Sequence, residues 1–434
     1  MSDFLEQNDI YSKEALRVIN LIKSEFLLDS GLLAMARDTN NHLIQKNALP
    51  DIGDFVPFFL YFGESDFITH QITLAKDSLN NGILVSEFPT FKLNGLAKSY
   101  EYSDWLLGLL DYYDFNPTED NKLFVRNNID QAIKIFKFDS KHYSFYYPRL
   151  RINLPLRDSR DAMMIELFVE YYQLTQEQKY LDVAKNIFDK LINLDFYKKY
   201  GILPTFSGPN FLKLFSAKLQ QGEICKANTN ALFAFLSLWQ ETKDENILWH
   251  IDNIVKAILT QASPDEGGII KDYLPQTKST KAFLTSSFAM LDFLCDFYHV
   301  TNQSKYLDKA KEIADYWLSL QSDTTGLFPL YNDKKEDFLD SETDMSVALF
   351  KLYEKTSDQR YAVAADKCLD GILKFHSPRD YVIGVDVDTG GLVNGSRKSK
   401  FLSLFLKLLI LKIEYAKNNR IYTDKKLFNL LRDR

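Results

Sequence analysis

Residues 159–182 read SRDAMMIELFVEYYQLTQEQKYLD and contain the pattern that decides the fold. Residues 162–172 are apolar almost all round, which predicts a buried helix. After Thr175 a short polar segment leads into YLDVAKNIFDKLI, whose apolar residues recur at helical spacing on one side only. The stretch therefore predicts two helices joined by a tight turn, an αα-hairpin.

The same turn recurs along the chain at spacings of 55 to 67 residues. Copies begin at Thr118, Thr175, Thr242, Thr301 and Thr356, with weaker copies at Phe62 and Ala416. An apolar helix precedes each turn and a one-sided helix follows it. Regular self-similarity of this kind indicates a repeat architecture. We predict an all-α fold, an α/α toroid of six to seven helical hairpins whose first helices form an inner ring and whose second helices form an outer ring. An open solenoid is the alternative.

The connections between hairpins are much longer than the turns within them, which favours the toroid. They run to roughly 20 residues, well above the usual loop length. They are rich in aromatic residues and are interrupted by glycine, as in residues 136–159, 203–227, 324–342 and 382–399. Each joins a second helix to the next first helix, so all must lie on one rim, where they predict a binding funnel. Strand-like alternation is nearly confined to YVIGVDVDTGG from Tyr381, which predicts a small ribbon. We find no stretch of the sequence with the Pro, Gly and Ser content of a linker, and we expect a single domain over residues 1–434.

The composition excludes several classes of protein. The net charge of −7 is unsuited to a nucleic-acid groove, which needs a basic face. The basic cluster of Arg397, Lys398 and Lys400 is short, and we interpret it as a solvated loop. The longest apolar stretch, FLSLFLKLLILKI, is too short to span a bilayer, and the first residues lack the pattern of a signal peptide. We therefore expect a cytoplasmic protein without a membrane span, whose oligomeric state stays open.

The sequence contains no recognisable metal or cofactor motif. Its cysteines, Cys225, Cys295 and Cys368, lie far apart without the spacing of a disulfide framework or a zinc site. A glycine-rich phosphate loop and a clustered acidic calcium loop are also missing from the sequence. We expect the protein to use neither a metal nor a cofactor.

A polar residue lies fourteen positions before each turn threonine, at the start of an otherwise apolar helix. These residues are Asp104, Asp161, Asn228, Ser287 and Glu342. Helix capping explains any one of them at least as well as function does. However, Asp104 and Asp161 belong to adjacent first helices, so their carboxylates could face one pocket and divide the acid and base roles of a catalyst.

Two segments resemble the unsaturated glucuronyl hydrolases, glycoside hydrolase families 88 and 105. RDAMMIELFVEYYQLTQEQKYLDVA is similar to their third hairpin, with Asp161 followed by Met163 and Met164. YSDWLLGLLDYY is similar to their preceding acidic segment, with Asp104 in the acidic position. The resemblance implies vinyl-ether hydration, in which a carboxylic acid protonates C4 of an unsaturated uronic acid and water adds at C5. It implies Asp161 as the acid/base group and Asp104 as its partner.

The implied substrate is an oligosaccharide with a carboxylate, which a cationic side chain would bind. The candidate substrate-binding residues are Arg160, Arg149, Lys226, Tyr147, Trp105, His142, Asn228 and Glu342. For the basic residues, a surface or salt-bridge role is at least as consistent with the sequence. Two alternatives remain: a uronate lyase, epimerase or isomerase with a base from HYSFYYPRLR, and a non-catalytic toroid that binds glycans or proteins.

Overall fold

The computed structural model of the chain describes residues 10–45, 49, 51–79, 83–84, 95–209, 221–263, 267–275 and 281–418, with side chains to residue 415. These residues belong to two compact units. We call residues 79–265 and 269–282 the three-hairpin unit, and residues 1–78, 266–268 and 283–434 the four-pair unit. That the two units make one domain stays a prediction.

The described secondary structure is dominated by helices. In chain order these are α1 (Ile10–Glu25), α2 (Ile52–Tyr61), α3 (Ser65–Ser78), α4 (Ser99–Phe115), α5 (Glu119–Phe136), α6 (Ala162–Thr175), α7 (Gln178–Ile192), α8 (Asp195–Tyr200), α9 (Asn230–Thr242), α10 (Glu245–Gln261), α11 (Leu284–Thr301), α12 (Ser304–Leu318), α13 (Leu339–Thr356), α14 (Gln359–Gly371) and α15 (Ser399–Asn418). None of them combines the length and apolar character that crossing a bilayer requires.

Short strands lie between the helices. They are β1 (Ala36–Arg37), β2 (Leu43–Gln45), β3 (Ala97–Lys98), β4 (Phe145–Tyr147), β5 (Ile152–Asn153), β6 (Arg157–Asp158), β7 (Phe206–Ser207), β8 (Gly222–Glu223), β9 (Asp272–Tyr273), β10 (Gly384–Val385), β11 (Leu392–Asn394) and β12 (Arg397–Lys398). The ribbon expected after Tyr381 is present as the antiparallel pair β10 and β11.

The predicted hairpins are confirmed within each unit. In the three-hairpin unit α4 pairs with α5, α6 with α7 and α9 with α10. In the four-pair unit α2 pairs with α3, α11 with α12 and α13 with α14. First helices also pack on first helices, α4 on α6 and α6 on α9 in one unit, and α11 on α13 and α13 on α15 in the other. This double contact buries the first helices on most sides, as their apolar sequences predict.

The turn threonine has a specific structural role. Thr175 donates its hydroxyl to the carbonyl of Tyr171 at 2.8 Å and accepts the backbone N–H of Glu177 at 3.3 Å. Between them Gln176 has a left-handed backbone with φ of 59°. Threonines 242, 301 and 356 donate in the same way to the carbonyl four residues before. The side chain thus satisfies groups that a helix end leaves open, and it fixes the direction of the next helix.

The strands join the two ends of a hairpin. β3 precedes α4 and pairs with β4, which follows α5. The next hairpins repeat this arrangement, since β6 pairs with β7 and β8 pairs with β9. Each of these ribbons links the strand before a first helix to the strand that follows the second helix of the same hairpin. The starts of the first helices, where the predicted polar residues lie, are held by these ribbons.

The fourth helix pair of the four-pair unit is formed by helices that are distant in sequence. α15 packs against α1, and β12 before α15 pairs with β1 after α1. α1 therefore serves as the second helix of α15, so the described pairs number seven, three in one unit and four in the other. The weak turn copy at Ala416 continues into residues outside the described part of the chain.

The basic cluster in β12 differs from the sequence interpretation, because Arg397 is buried rather than solvated. Its side chain is 2% exposed. Nη1 pairs with Glu25 at 2.6 Å, and Nη2 donates to the carbonyl of Asp38 at 3.0 Å. Pairing with groups around α1 and β1 removes the cost of burying the guanidinium. Arg397 therefore fastens the α1–α15 contact, which we call the seam.

Candidate functional site

The candidate site lies at the starts of α4, α6 and α9 in the three-hairpin unit. β3 leads into α4, β6 leads through a short turn (Ser159–Asp161) into α6, and β8 leads through a wide turn (Ile224–Thr229) into α9. Polar side chains collect where these helices begin. We call Lys98, Tyr100, Glu101, Asp158, Arg160 and Glu223 the helix-start cluster.

Arg160 is the most strongly fixed cation of the cluster. Its Nε donates to Asp158 Oδ1 at 2.9 Å and its Nη2 to Oδ2 at 2.5 Å. The guanidinium lies over the Tyr100 ring, 3.7 Å from the centroid, while the side chain keeps 18% of its surface exposed. Burial opposes the charge, but the Asp158 carboxylate outweighs it and raises the pKa of Arg160 above its usual range. A permanently charged group thus reaches the surface in one fixed orientation.

Asp158, whose carboxylate binds Arg160, is completely buried. Burial raises the pKa of its carboxyl group to about 6, although the Arg160 guanidinium acts in the opposite direction. The backbone N–H of Arg160 also donates to Asp158 Oδ1 at 3.0 Å. Asp158 therefore holds both the main chain and the side chain of Arg160.

A second ion pair joins β3 to α4. Lys98 Nζ lies 2.5 Å from Glu101 Oε1, and Lys98 is 3% exposed. Burial lowers the pKa of Lys98, although Glu101 supports the charge. Burial also raises the pKa of Tyr100 above its usual range, so its phenol serves as a neutral hydrogen-bonding group rather than a base. Because Lys98 binds Glu101 and Arg160 binds Asp158, these two carboxylates are engaged by the chain itself and are not open metal ligands.

Asp161 is completely buried, and its carboxylate is surrounded by hydrogen-bond partners. Ser99 donates to Oδ1, while His142 Nε2 lies 2.6 Å and Ser144 Oγ 2.5 Å from Oδ2. These three partners are also completely buried. The carboxylate thus joins the first turn of α4, the connection after α5 and the start of α6. Its side chain makes no helix-cap hydrogen bond.

Asn228 and Glu342, at the same repeat position, make similar connections. Asn228 bonds both the N–H and the carbonyl of Leu203, at 2.7 and 3.0 Å. Glu342 accepts the N–H of Phe328 at 2.7 Å and the thiol of Cys368 at 2.7 Å. Both are completely buried. Neither is a cap, and each ties a long connection to its first helix.

Asp104 differs from these residues because it is half-buried. Its helix α4 packs on α6, so the predicted adjacency of the helices with Asp104 and Asp161 is confirmed. The environments of the two carboxylates nevertheless differ: Asp161 is completely enclosed, whereas part of Asp104 reaches the surface. Asp104 is therefore the better placed of the two to meet a substrate.

The remaining predicted residues occupy varied positions. Trp105 is 1% exposed and belongs to the interior, and His142 is completely buried beside Asp161. Tyr147 is half-buried in β4, and Arg149 and Lys226 are exposed. Of the substrate-binding set, only Arg160 belongs to the helix-start cluster. Substrate contact by the others stays a prediction.

Asp158 and the Lys98–Glu101 pair were missed by the sequence analysis. A signal for Asp158 exists, because Asp-Ser-Arg at 158–160 recurs as Asp-Gln-Arg at 358–360. In both copies the arginine Nε and Nη2 bond the carboxylate two residues before. The local motif is therefore readable from sequence, although its burial at Asp158 is not.

Comparison with known proteins shows the fold. No known protein family and no curated protein matches the sequence. Among solved structures, the α-1,2-mannosidase from Trichoderma reesei is similar with a TM-score of 0.66, 14% identity and coverage of 92% of each chain. The cellobiose 2-epimerase from Bacillus thermoamylovorans B4167 has a TM-score of 0.60 and 12% identity, over 91% of this chain and 98% of that chain.

An unsaturated glucuronyl hydrolase specific for heparin is also similar, with a TM-score of 0.52 and 11% identity. It matches 86% of this chain and 98% of its own. These likenesses confirm the predicted fold class: the chain has the α/α toroid fold. At such low identity they establish the fold alone.

Proposed function

We propose that the chain is a carbohydrate-active enzyme whose acid/base group is Asp104. The observation that carries the proposal is the half-buried Asp104 carboxylate on α4, the helix whose first turn also carries the Tyr100 ring under the fixed Arg160 guanidinium. Acid/base chemistry on a sugar requires a carboxyl or similar group that can reach the substrate, and an oriented guanidinium can bind a substrate carboxylate. Solved structures with this fold are named for reactions of sugars, which supports the same class of substrate.

The preferred reaction is hydrolysis of unsaturated uronyl oligosaccharides. Asp104 protonates C4 of the unsaturated ring, water adds at C5, and the hemiketal opens to release the neighbouring sugar. We assign the acid to Asp104 rather than Asp161 because Asp161 is enclosed by three buried hydrogen-bond partners. An acid must reach the substrate, and Asp161 would have to exchange those partners to do so.

A second candidate is an epimerase or isomerase of a neutral sugar. It is favoured by the ion pairs of the cluster, since Lys98 is bound by Glu101 and Arg160 by Asp158. A neutral sugar requires no unpaired cation, whereas a uronate gains most from one. The name of the similar cellobiose 2-epimerase agrees with this class.

The test is to incubate the protein with unsaturated uronyl disaccharides and follow the ultraviolet absorbance of the conjugated uronate. A falling absorbance is expected, and Asp104→Asn should lower the rate by about a hundredfold, the size of a general acid contribution. Asp114→Asn, near the opposite end of the same helix, is the matched control. Full activity of Asp104→Asn would remove Asp104 from the mechanism.

The competing reactions give different signals in the same experiment. A rising absorbance on intact uronate polymers means a lyase. Conversion of a neutral sugar to its epimer or isomer, seen by nuclear magnetic resonance of the sugar, supports the second candidate. If neither the uronyl substrates nor the neutral sugars are consumed, the enzyme proposal fails. The alternative of a non-catalytic protein that binds glycans or proteins is then favoured.

A further inference from the structure

Asp161 is the centre of a buried network. Its carboxylate joins Ser99 at the start of α4, Ser144 in the connection after α5, and His142 before it. Ser99 and Ser144 are also linked through the backbone, because the N–H of Ser99 donates to the carbonyl of Ser144 at 3.0 Å. Three segments distant in sequence are therefore held together at one enclosed carboxylate.

The network continues toward the surface through Ser144. Its hydroxyl donates to Asp161 and accepts the backbone N–H of Asp158 at 2.5 Å. The Asp158 carboxylate then holds the guanidinium of Arg160. Hydrogen bonds at the backbone N–H and at the carboxylate of Asp158 thus connect the buried carboxylate of Asp161 with a guanidinium that is 18% exposed.

The exposed copy of the motif forms the same aspartate–arginine bonds at the surface, without a buried carboxylate behind it. In Asp358-Gln-Arg360 the same bonds form at 3.2 and 2.7 Å, with the two side chains 33% and 61% exposed. Asn228 and Glu342, at the repeat position of Asp161, anchor a backbone segment but hold no guanidinium by their bonds. The Asp161 network differs from these, because it is bonded through Ser144 to the backbone of Asp158, whose carboxylate holds Arg160.

We infer that Asp161 and Ser144 are positioning residues, which act through Asp158 to hold the Arg160 guanidinium in place for the sugar substrate. The inference rests on the proposed function, since it assigns Arg160 a contact with the sugar. Arg160 stacks on Tyr100 at one face, so its orientation is set from two sides. Such preorganisation strengthens binding because the guanidinium loses little freedom when the sugar arrives.

The experiment compares Ser144→Ala with Ser287→Ala. Both remove a completely buried serine hydroxyl, but Ser287 donates locally, to the carbonyl of Phe283 just before its own helix. Ser144→Ala should raise KM about tenfold and change kcat by less than about twofold, the signature of lost ground-state binding. Ser287→Ala should change neither. In the Arg160→Lys background, Ser144→Ala should raise KM no further, because the guanidinium that Ser144 helps to position is no longer present.

A measurement without substrate separates this inference from the proposed function. Nuclear magnetic resonance of the arginine Nε–H groups should show Arg160 Nε–H slow to exchange in the wild type and in Ser287→Ala, but fast in Ser144→Ala. If no sugar is turned over and this difference is still seen, the enzyme proposal fails while the positioning role stands. The positioning role is overturned if the Nε–H of Arg160 is equally protected from exchange in Ser144→Ala and Ser287→Ala. It is also overturned if adding Ser144→Ala to Arg160→Lys raises KM further.

Discussion

At the scale of single residues, burial decides whether the aspartate pKa is raised or lowered in the Asp-x-Arg motif, which occurs at residues 158–160 and 358–360. Asp158 and Asp358 each bind an arginine two residues later through the same set of bonds. Burial raises the pKa of Asp158 to about 6 from an ordinary value of 3.8. Hydrogen bonds from Arg360 lower the pKa of the more exposed Asp358. Desolvation decides the sign in the first case and the ion pair in the second.

This contrast predicts opposite pH dependences of stability. The folded state with Asp158 binds its proton more tightly than the unfolded chain, so its contribution to stability falls as pH rises from about 4 through 6. Relative to Asp158→Asn, the wild type should lose about 2 kcal/mol between roughly pH 4 and pH 7. Urea unfolding at several pH values measures this difference.

Asp358→Asn is the control, and its slope should have the other sign. The pKa of Asp358 is lowered on folding, so the wild type gains stability relative to this variant as pH rises through the acidic range. Parallel curves for the wild type and Asp158→Asn would contradict the assignment of a raised pKa to Asp158.

The candidate site could be predicted only in part, for reasons that belong to this scale. Repeat counting located Asp104 and Asp161 at the starts of adjacent helices, and the packing of α4 on α6 agrees. Spacing along a helix does not reveal whether a carboxylate faces an opening or a neighbouring loop. The enclosure of Asp161 depends on Ser99, which lies 62 residues away in sequence. Long-range partners of this kind leave no periodic signal.

At the scale of elements, two neighbouring residues of a hairpin turn need different backbone conformations and different side chains. Ser357 has a left-handed backbone with φ of 57°, which costs a side-chain-bearing residue about 1–2 kcal/mol. Asp358 has a φ of −81° and caps α14 by accepting the N–H of Arg360 at 3.0 Å. One position therefore favours glycine and the next requires a capping side chain.

Substitutions in this turn should change stability in opposite directions. Ser357→Gly should raise the free energy of unfolding by about 0.5–1 kcal/mol, since glycine adopts the left-handed conformation without strain. Asp358→Ala should lower it by about 1 kcal/mol through loss of the cap. Thermal unfolding of both variants beside the wild type tests the pair. A loss of stability in Ser357→Gly would mean that the left-handed turn is not strained.

The helices were predictable because their signal is local. The turn threonine, the following Lys-Tyr or Arg-Tyr pair and the two hydrophobic patterns all lie within one stretch such as residues 159–182. The ribbons β3–β4, β6–β7 and β8–β9 were not predicted, because two-residue strands are too short to show alternation. Their positions follow from the hairpins, whose ends they join.

At the scale of the whole molecule, the seam joins helices that are far apart in sequence. Arg397 in β12 bonds Glu25 and the carbonyl of Asp38, and Ser377 donates to Glu14 of α1 at 2.6 Å. These bonds fix α1 as the partner of α15. The sequence did not reveal this pairing, because α1 and α15 are not consecutive and share no turn.

Arg397→Met should therefore be strongly destabilising. It removes the ion-pair partner of Glu25 and the hydrogen bond of the guanidinium to the carbonyl of Asp38, which keeps the N–H of Asn41 as a donor. We expect a loss of about 3 kcal/mol. Arg360→Met is the control, because Arg360 is 61% exposed and surface ion pairs contribute about 1 kcal/mol or less. Urea unfolding of the two variants measures the difference. Similar losses in both would show that Arg397 does not fasten the seam.

The seam also determines the order in which parts of the molecule can fold during synthesis. α1 leaves the ribosome long before α15, which begins at Ser399, and translation proceeds at about 5–20 residues per second. The apolar side of α1, with Val18, Ile19 and Ile22, therefore waits for tens of seconds without the helix that covers it. During that interval the apolar residues of α1 remain without the contacts of α15, and closure of the seam can occur only after α15 has been made.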